Sequence, residues 1–484
     1  MAGGDFALIK AVEGFEDFME FGRRQLADHG VAAGDVVFAI TEGGETSFVI
    51  GTVWQGVAVG ARVVFVYNNP DHVLCQHVQR SREVIEDPRI EKLNLTTGPM
   101  SIAGSTRMQA TTIQLVVLLT VLEMVVRELE SSQAPGDSLA PDPAAVPAQF
   151  LAALEATLAA LKSPALLAQL ARLVSLEEGV YRAGRMNNYF ADGAAIDVLT
   201  DTTERSPTYC TPPFRKFDDA SAAESWAFLF VPEATTAAAW QRMIKRPPTC
   251  VEWSEAEARA LVPADRLART LETLDRIGCA ELLRFRVGLD GLTERPAQAG
   301  GSAVGILSER EMSLVLESNG FLRRQLDAAR AAGAKTGLIY LADAAAIEPM
   351  RECLSAWNPE CVPVLVPMPA TDFLLDGMTR VGLKLILNTL STCTMVRLGR
   401  VMGNYMIWVV PSNLKLIDRA TRYIEQLTGL DYAPANRLLF EVIEYVEPRM
   451  TADQTYPPVV GVAILRQRNG LTNEEAEQQL MTGL

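Results

Sequence analysis

The segment "DVVFAITEGGETSFVIGTVWQGVAVGARVVFVYNN", Asp35 to Asn69, limits the fold more than any other stretch of the chain. Two runs rich in β-branched and aromatic residues, "DVVFAI" and "ARVVFVYNN", read as short buried strands, and "SFVIGTVWQGVAVG" between them has helical spacing. Strand, helix and strand in that order, with apolar residues continuous along both strands, predict a parallel sheet covered by helices on both faces. The expected class is α/β, a doubly wound parallel sheet in three layers. The turn "TEGGET" leaves the first strand at its carboxyl end, where open α/β sheets bind ligands. There Gly43 and Gly44 would let backbone N–H groups approach a phosphate, and Thr46 and Ser47 add hydroxyls at the helix start. A tight strand-to-helix turn needs glycine in any case, so the residues alone leave both readings open. Glu42 and Glu45 oppose a dianion unless they turn away or hold sugar hydroxyls.

A second anion site is suggested by "GSTRMQ". Ser105 reads as an N-cap, and Thr106 and Arg107 in the first turn would join a bidentate cation to the positive helix end. The alternative is an ordinary capped helix with a solvated Arg107. Glu13, Glu16 and Glu20 fall at i, i+3 and i+7, on one face of an expected helix, either as a solvated face or as acids for proton transfer and sugar hydroxyls. Glu204, in the turn-rich "TDTTERSPTY", could cap the turn, pair with Arg205, or act at a site.

Organisation follows from composition along the chain. "SSQAPGDSLAPDPAAVPAQ" reads as a linker. Beyond it, strand-like "WAFLFV" and "TGLIYLAD" point to a second α/β unit, and the pattern from about Val381 is mostly helical, ending at Thr472 with Glu475 as a capping pair. The expected units are 1–130, a linker at 131–150, 151–400, and a helical region at 401–484. Gly-x-Thr-Arg recurs at Gly104 to Arg107 and Gly377 to Arg380, a weak echo of duplication.

The 484 residues, 49% hydrophobic, are enough for two or three cores, and the net charge of −15 carries no Lys/Arg block, which excludes a nucleic-acid partner. Seven widely spaced cysteines without a C-x-x-C pair suggest neither disulfides nor a zinc site, and no metal or cofactor is expected. "MAGGDFALIKAVEG" lacks the basic start of a signal peptide, and "IQLVVLLTVLEMVV" is short for a bilayer and holds Glu123. A cytoplasmic protein without a membrane partner is the expectation.

Four segments, "AGGDFALIKAVEGFED", "AITEGGETSFVIG", "GPMSIAGSTRMQATTIQ" and "LKLILNTLSTCTMVRLGRVMGNYMIWVVPSNLKLIDRA", resemble the sugar isomerase (SIS) superfamily. Within it they look like the branch of N-acetylmuramic acid 6-phosphate etherases and glucokinase regulatory proteins. The etherases have one SIS domain and act as dimers; the regulatory proteins carry two in one chain, followed by a helical lid. Two α/β units and a helical tail resemble the second plan. The resemblance implies a phosphosugar pocket built from Gly43, Gly44, Thr46, Ser105 and Arg107. It places Glu13 and Glu16 toward the sugar and brings Lys415 of "SNLKL" in from the tail. Glu204 stands where the etherases keep a catalytic acid, "DASECPPTY" being recast as "TDTTERSPTY".

Departures from the family pattern are also visible. Gly43-Gly44-Glu45-Thr46 replaces Ser-Gly-Arg-Thr, and Gln109 stands where a lysine is usual. The phosphate loop "GTSGR" does not precede "AGGDFALIK", so the first domain lacks its first strand and loop, and Met1 is expected to be an internal methionine of a longer frame. In the second unit "ADGAAID" and "ADAAAIEP" lack the usual hydroxyl donors, which implies a structural unit or a degenerate binder. The resemblance leads to a tandem-SIS sensor of a hexose phosphate, with a sugar kinase or self-association as its partner. The alternative is an etherase-type lyase or isomerase using Glu13, Glu16 and Glu204, and a scaffold with two dead pockets is a third reading. Whether Glu204 reaches the first pocket separates them.

Overall fold

The computed structural model describes residues 1–133, 142–412, 414–450 and 454–482. In the first part, helix α1 (Met19–Asp28) precedes a βαβ unit of β1 (Val36–Ile40), α2 (Ser47–Ala58) and β2 (Arg62–Tyr67). Two short helices, α3 (Asp71–His77) and α4 (Gln79–Glu86), lead to β3 (Ile90–Asn94). All three strands are parallel in the order β1-β2-β3, with Phe38 opposite Val64 and Phe65 opposite Lys92. The long helix α5 (Gln109–Gln133) then returns across the sheet at β2.

The second sheet has five parallel strands in the order β5-β4-β6-β7-β8, namely β4 (Asn187–Ala191), β5 (Ala227–Phe230), β6 (Ser302–Ser308), β7 (Lys335–Asp343) and β8 (Val362–Met368). The chain is thus a parallel α/β structure. Helices α6 (Val146–Leu161) and α7 (Pro164–Arg182) pack against β8, and α8 (Ala195–Thr203) follows β4. The helix Gly377–Arg397 lies between α5, α7 and α8. A two-strand hairpin, Val401–Met402 with Tyr405–Met406, precedes the helical tail, whose last helix opens on the expected pair: the Glu475 N–H donates to Thr472 Oγ1 at 3.2 Å.

The sequence expectations need correction at four places. The acids Glu13, Glu16 and Glu20 do not share a helix face, because Glu13–Phe15 is a short 3-10 turn and α1 begins only at Met19. At β1 only one face is covered: Val37 and Ala39 are buried, while Val36, Phe38 and Ile40 are 51%, 42% and 41% exposed. Among the described residues no strand pairs beyond β1, whereas β4 and β5 lie beyond β6. Of the expected linker, Ser131–Gln133 belong to α5 and residues 146–150 to α6; 134–141 lie outside the described residues. The apolar run 113–126 also understates its helix. By length and composition Gln109–Ser132, with mean hydropathy 1.8, and Pro143–Leu161, with 1.5, could each cross a membrane. The first holds a buried ion pair, Arg127 Nε donating to Glu123 Oε1 at 2.8 Å.

The two sheets share more than a linker. Phe6, Ile9 and Phe15, from the start of the chain, are buried in the core that contains the second sheet. Trp253 stacks on Phe15 with ring centroids 5.6 Å apart, and Arg246 pairs with Asp5. The first sheet keeps a small core of its own around Val63, Phe65 and Ile50.

Candidate functional site

The cavity lies at the carboxyl ends of β1 and β2, as expected for a parallel sheet. Its volume is about 710 Å³, and several remote stretches close around it, Lys384, Leu387 and Asn388 of the Gly377–Arg397 helix among them. Glu42, Gly43, Glu45 and Thr46 come from the turn after β1, and Asn68 and Asn69 from the end of β2. Gly104 to Arg107 form a second wall, α8 and the residues after it a third, and the tail helix Leu414–Thr428 a fourth.

The turn after β1 is held from behind. Ser81 Oγ donates to the Gly44 carbonyl at 2.7 Å, Arg80 Nε to that of Glu45 at 2.6 Å, and Asn69 Nδ2 to that of Gly43 at 3.0 Å. The two glycines do different work. Gly44 has φ +77° and a Cβ there would lie 2.8 Å from Leu74 Cδ1, so the protein's own packing excludes a side chain. Gly43 faces the cavity, where a Cβ would meet only the Glu45 side chain, at 3.4 Å and beyond. Gly44 and Ser47 are not among the cavity-lining residues; Gly43 and Thr46 are.

The "GSTR" turn differs from the expected capped helix. Ser105 is not the N-cap: α5 starts at Gln109, and Thr106 and Arg107 sit in a turn before it, closed by the Thr111 N–H donating to the Thr106 carbonyl at 3.1 Å. The physical reason is Lys384, from the Gly377–Arg397 helix, whose Nζ donates to the carbonyls of Arg107 (2.5 Å) and Met108 (3.0 Å) and to Thr112 Oγ1 (2.5 Å). Those bonds fix the turn from outside. Arg107 is 8% exposed rather than solvated, and its Nη2 donates to Asp201 Oδ1 at 2.8 Å and to the Asp201 carbonyl at 3.0 Å. Its Nη1 is buried without a hydrogen-bond partner.

Asp197, Asp201 and Glu204 line the cavity from one side of α8, at i, i+4 and i+7. Asp201 also accepts from Arg205 Nη2 at 3.1 Å, and Asp197 from Arg380. Both Gly-x-Thr-Arg arginines therefore end on α8 carboxylates. Burial pushes the Asp197 carboxyl above the usual range against the pull of Arg380, and pushes the Lys384 ammonium down to about 7, with Arg107 adding repulsion.

Glu16 and Lys415 face each other across the cavity mouth at 3.4 Å. The tail comes this close because Gly104 has no side chain; a Cβ there would lie 2.6 Å from Tyr423 Oη and 2.9 Å from Arg419 Nε. Of the sequence candidates, Glu16, Gly43, Thr46, Ser105, Thr106, Arg107, Glu204 and Lys415 meet in this one cavity. The side chain of Glu13 lies outside the described residues. Sequence reading missed Asp197, Asp201 and Lys384, although the helical spacing of "DVLTDTTE" and the position of Lys384 four residues after Arg380 were there to be read.

The second sheet's own switch point, between β4 and β6, is filled from within. The Gly193 N–H donates to Glu311 Oε1 at 2.6 Å, so a carboxylate sits where a ligand anion would. Glu311 is itself held by Ser308, Oγ to Oε2, at 3.0 Å.

No family model matches the chain. Curated relatives do, over part of it. The chain is 38% identical over 112 residues to the N-acetylmuramic acid 6-phosphate etherase of Thermosynechococcus vestitus, covering 23% of this chain and 33% of that protein. It is 33% identical over 127 residues to the etherase of Clostridioides difficile, covering 26% and 38%, and 34% identical over 171 residues to that of Synechococcus elongatus, covering 34% and 51%. The chain spans between about a third and a half of the length of these relatives. Over these segments the chain, built of parallel, helix-flanked sheets, is similar to N-acetylmuramic acid 6-phosphate etherases.

Proposed function

We propose that the cavity binds an amino-sugar or hexose 6-phosphate and that the chain acts on it as an etherase-type lyase. The observation that carries this reading is that Glu204 and Glu16, 188 positions apart by subtraction, line one cavity with Ser105 and Arg107. In such an elimination one carboxylate takes the proton from the carbon beside the carbonyl of the open sugar. The carbon–oxygen bond at the next carbon breaks, and the other carboxyl returns a proton to the departing oxygen. Glu42 and Glu45 line the same cavity and are placed to hold hydroxyls. The test is incubation of the chain with N-acetylmuramic acid 6-phosphate, reading ether cleavage by mass spectrometry. Cleavage that falls at least 100-fold in both Glu204→Gln and Glu16→Gln is expected. Binding without cleavage would overturn the lyase reading.

That outcome would favour a second reading, a tandem-SIS sensor resembling the glucokinase regulatory proteins. Its support is the pairing already present: Arg107 is held by Asp201 and Lys415 by Glu16, so a ligand that takes Lys415 from Glu16 shifts the tail helix. The tail would then report to a partner such as a sugar kinase. A tandem origin is supported by the succession of three parallel strands, a Gly-x-Thr-Arg segment and a long apolar helix, which occurs as β1-β2-β3-α5 and again as β6-β7-β8 with Gly377–Arg397, the segment preceding the helix in the first case and opening it in the second.

A further inference from the structure

Lys384 plays no part in the reading above, yet it forms part of the cavity wall. It reaches across from the Gly377–Arg397 helix, and its ammonium donates to three neutral oxygens, two carbonyls and a hydroxyl. An ammonium has three protons for these three acceptors, whereas a neutral amine has two; the two carbonyls also accept from the hydroxyls of Thr111 and Thr112, so the neutral form gives up one bond without orphaning either carbonyl. Next to it is Arg107, whose Nη1 is buried and unpartnered. The charged groups around Lys384 come from three elements. Arg107 repels its proton from the turn before α5, while Asp201 on α8 and Glu42 after β1 attract it. Asp201 is already shared between Arg107 and Arg205, and Asp197 is taken by Arg380.

Two neighbouring cations thus form one wall of the cavity, one with an idle donor and the other bonded only to neutral oxygens. The turn after β1 carries the carboxylates Glu42 and Glu45, of which Glu42 also attracts the Lys384 proton. We propose that the phosphate of the ligand seats between Arg107 and Lys384, rather than at the Gly43 turn, and that Lys384 takes up a proton as the anion arrives. This rests on the sugar-phosphate reading only for the identity of the ligand; the seat itself is for a tetrahedral oxyanion. The linkage has a definite sign. Burial holds the ammonium at about 7 in the free chain, and a bound anion favours the charged form, so affinity falls as pH rises above 7.

Sulfate is the probe, because its own charge is constant across this range. The full chain, labelled with carbon-13 at the lysine ε-carbon, is titrated by NMR with and without sulfate, and Lys384→Arg identifies the signal. In the free chain the Lys384 signal should titrate near pH 7 and move upward with sulfate present. Calorimetry in two buffers of different ionisation enthalpy should show proton uptake at pH 8. Sulfate affinity should weaken about tenfold per pH unit above 7 in the native chain. It should stay level in Lys384→Arg and be low throughout in Lys384→Met. An ordinary lysine titration near 10.5 in the free chain, sulfate that binds without moving the signal, or no sulfate binding at pH 6 would each overturn the seat. A chain that passes with sulfate but binds no sugar phosphate keeps the seat and loses the sugar-phosphate function. Sugar-phosphate binding with an unmoved Lys384 does the reverse.

Discussion

Asp201 accepts from two buried guanidiniums at once, Arg107 at 2.8 Å and Arg205 at 3.1 Å. Removing one partner of a buried ionic cluster leaves an uncompensated charge, which costs more than the intact cluster contributes. Asp201→Asn should therefore lower stability by about 3 kcal/mol in urea unfolding. Lys384 has the opposite character, since its charge is buried among neutral oxygens. Its folded-state value near 7 lies below the ordinary 10.5, so between those limits the unfolded chain binds more protons, and stability should increase with pH across that window. In Lys384→Met that rise should be absent; an equal rise in both proteins would place the titration elsewhere. At this scale the sequence named eight of the residues that line the cavity but not their partners. Arg107 read as a free cation because its carboxylate is 94 positions away, and Gly44 read as a ligand contact because nothing local announces Leu74 behind it.

Among elements, the closest contact in the first unit is between α1 and α2. A Cβ on Gly22 would lie 1.9 Å from the Phe48 carbonyl oxygen, and one on Gly51 2.0 Å from that of Met19. These are backbone atoms and cannot turn aside, so Gly51→Ala must part the helices. It should cost about 3 kcal/mol, near the top of the overpacking range, with α1 losing amide protection before the strands. Strands and their helices were legible because the period of the apolar pattern is a local property: β1, α2, β2, β5 and β7 fall where "DVVFAI", "SFVIGTVWQGVAVG", "ARVVFVYNN", "WAFLFV" and "TGLIYLAD" place them. Helix starts set by tertiary contacts were not. Glu13 to Glu20 carry helical spacing, yet the backbone leaves helix after Phe15 because the Phe15 ring is drawn into the stack of Phe21, Phe48 and Trp253. Ser105 has the chemistry of a cap, but Lys384 fixes the carbonyls of that turn and the helix begins four residues later.

In the molecule as a whole, the first sheet depends on the second. Three strands with one apolar face open at β1 give a small core. Further burial comes at the seam, where Trp253 packs on Phe15 and Phe21, its indole N–H donates to Asp28 Oδ2 at 2.8 Å, and Arg24 lies 5.9 Å from its ring. Trp54, on α2, packs on the first core, so the fluorescence difference between the chain and its Trp54→Phe variant reports the first sheet alone. Far-UV circular dichroism reports both. In urea the two signals should fall together, as one cooperative unit. Trp253→Ala removes the ring at the seam, a loss of about 3–5 kcal/mol for a buried aromatic. That exceeds the reserve of the first sheet, so the Trp54 signal should fall at lower urea than the dichroism. Coincident transitions in Trp253→Ala would mean that the contacts of the cavity walls, Arg107 to Asp201 and Lys384 to the turn before α5, suffice to hold the halves together.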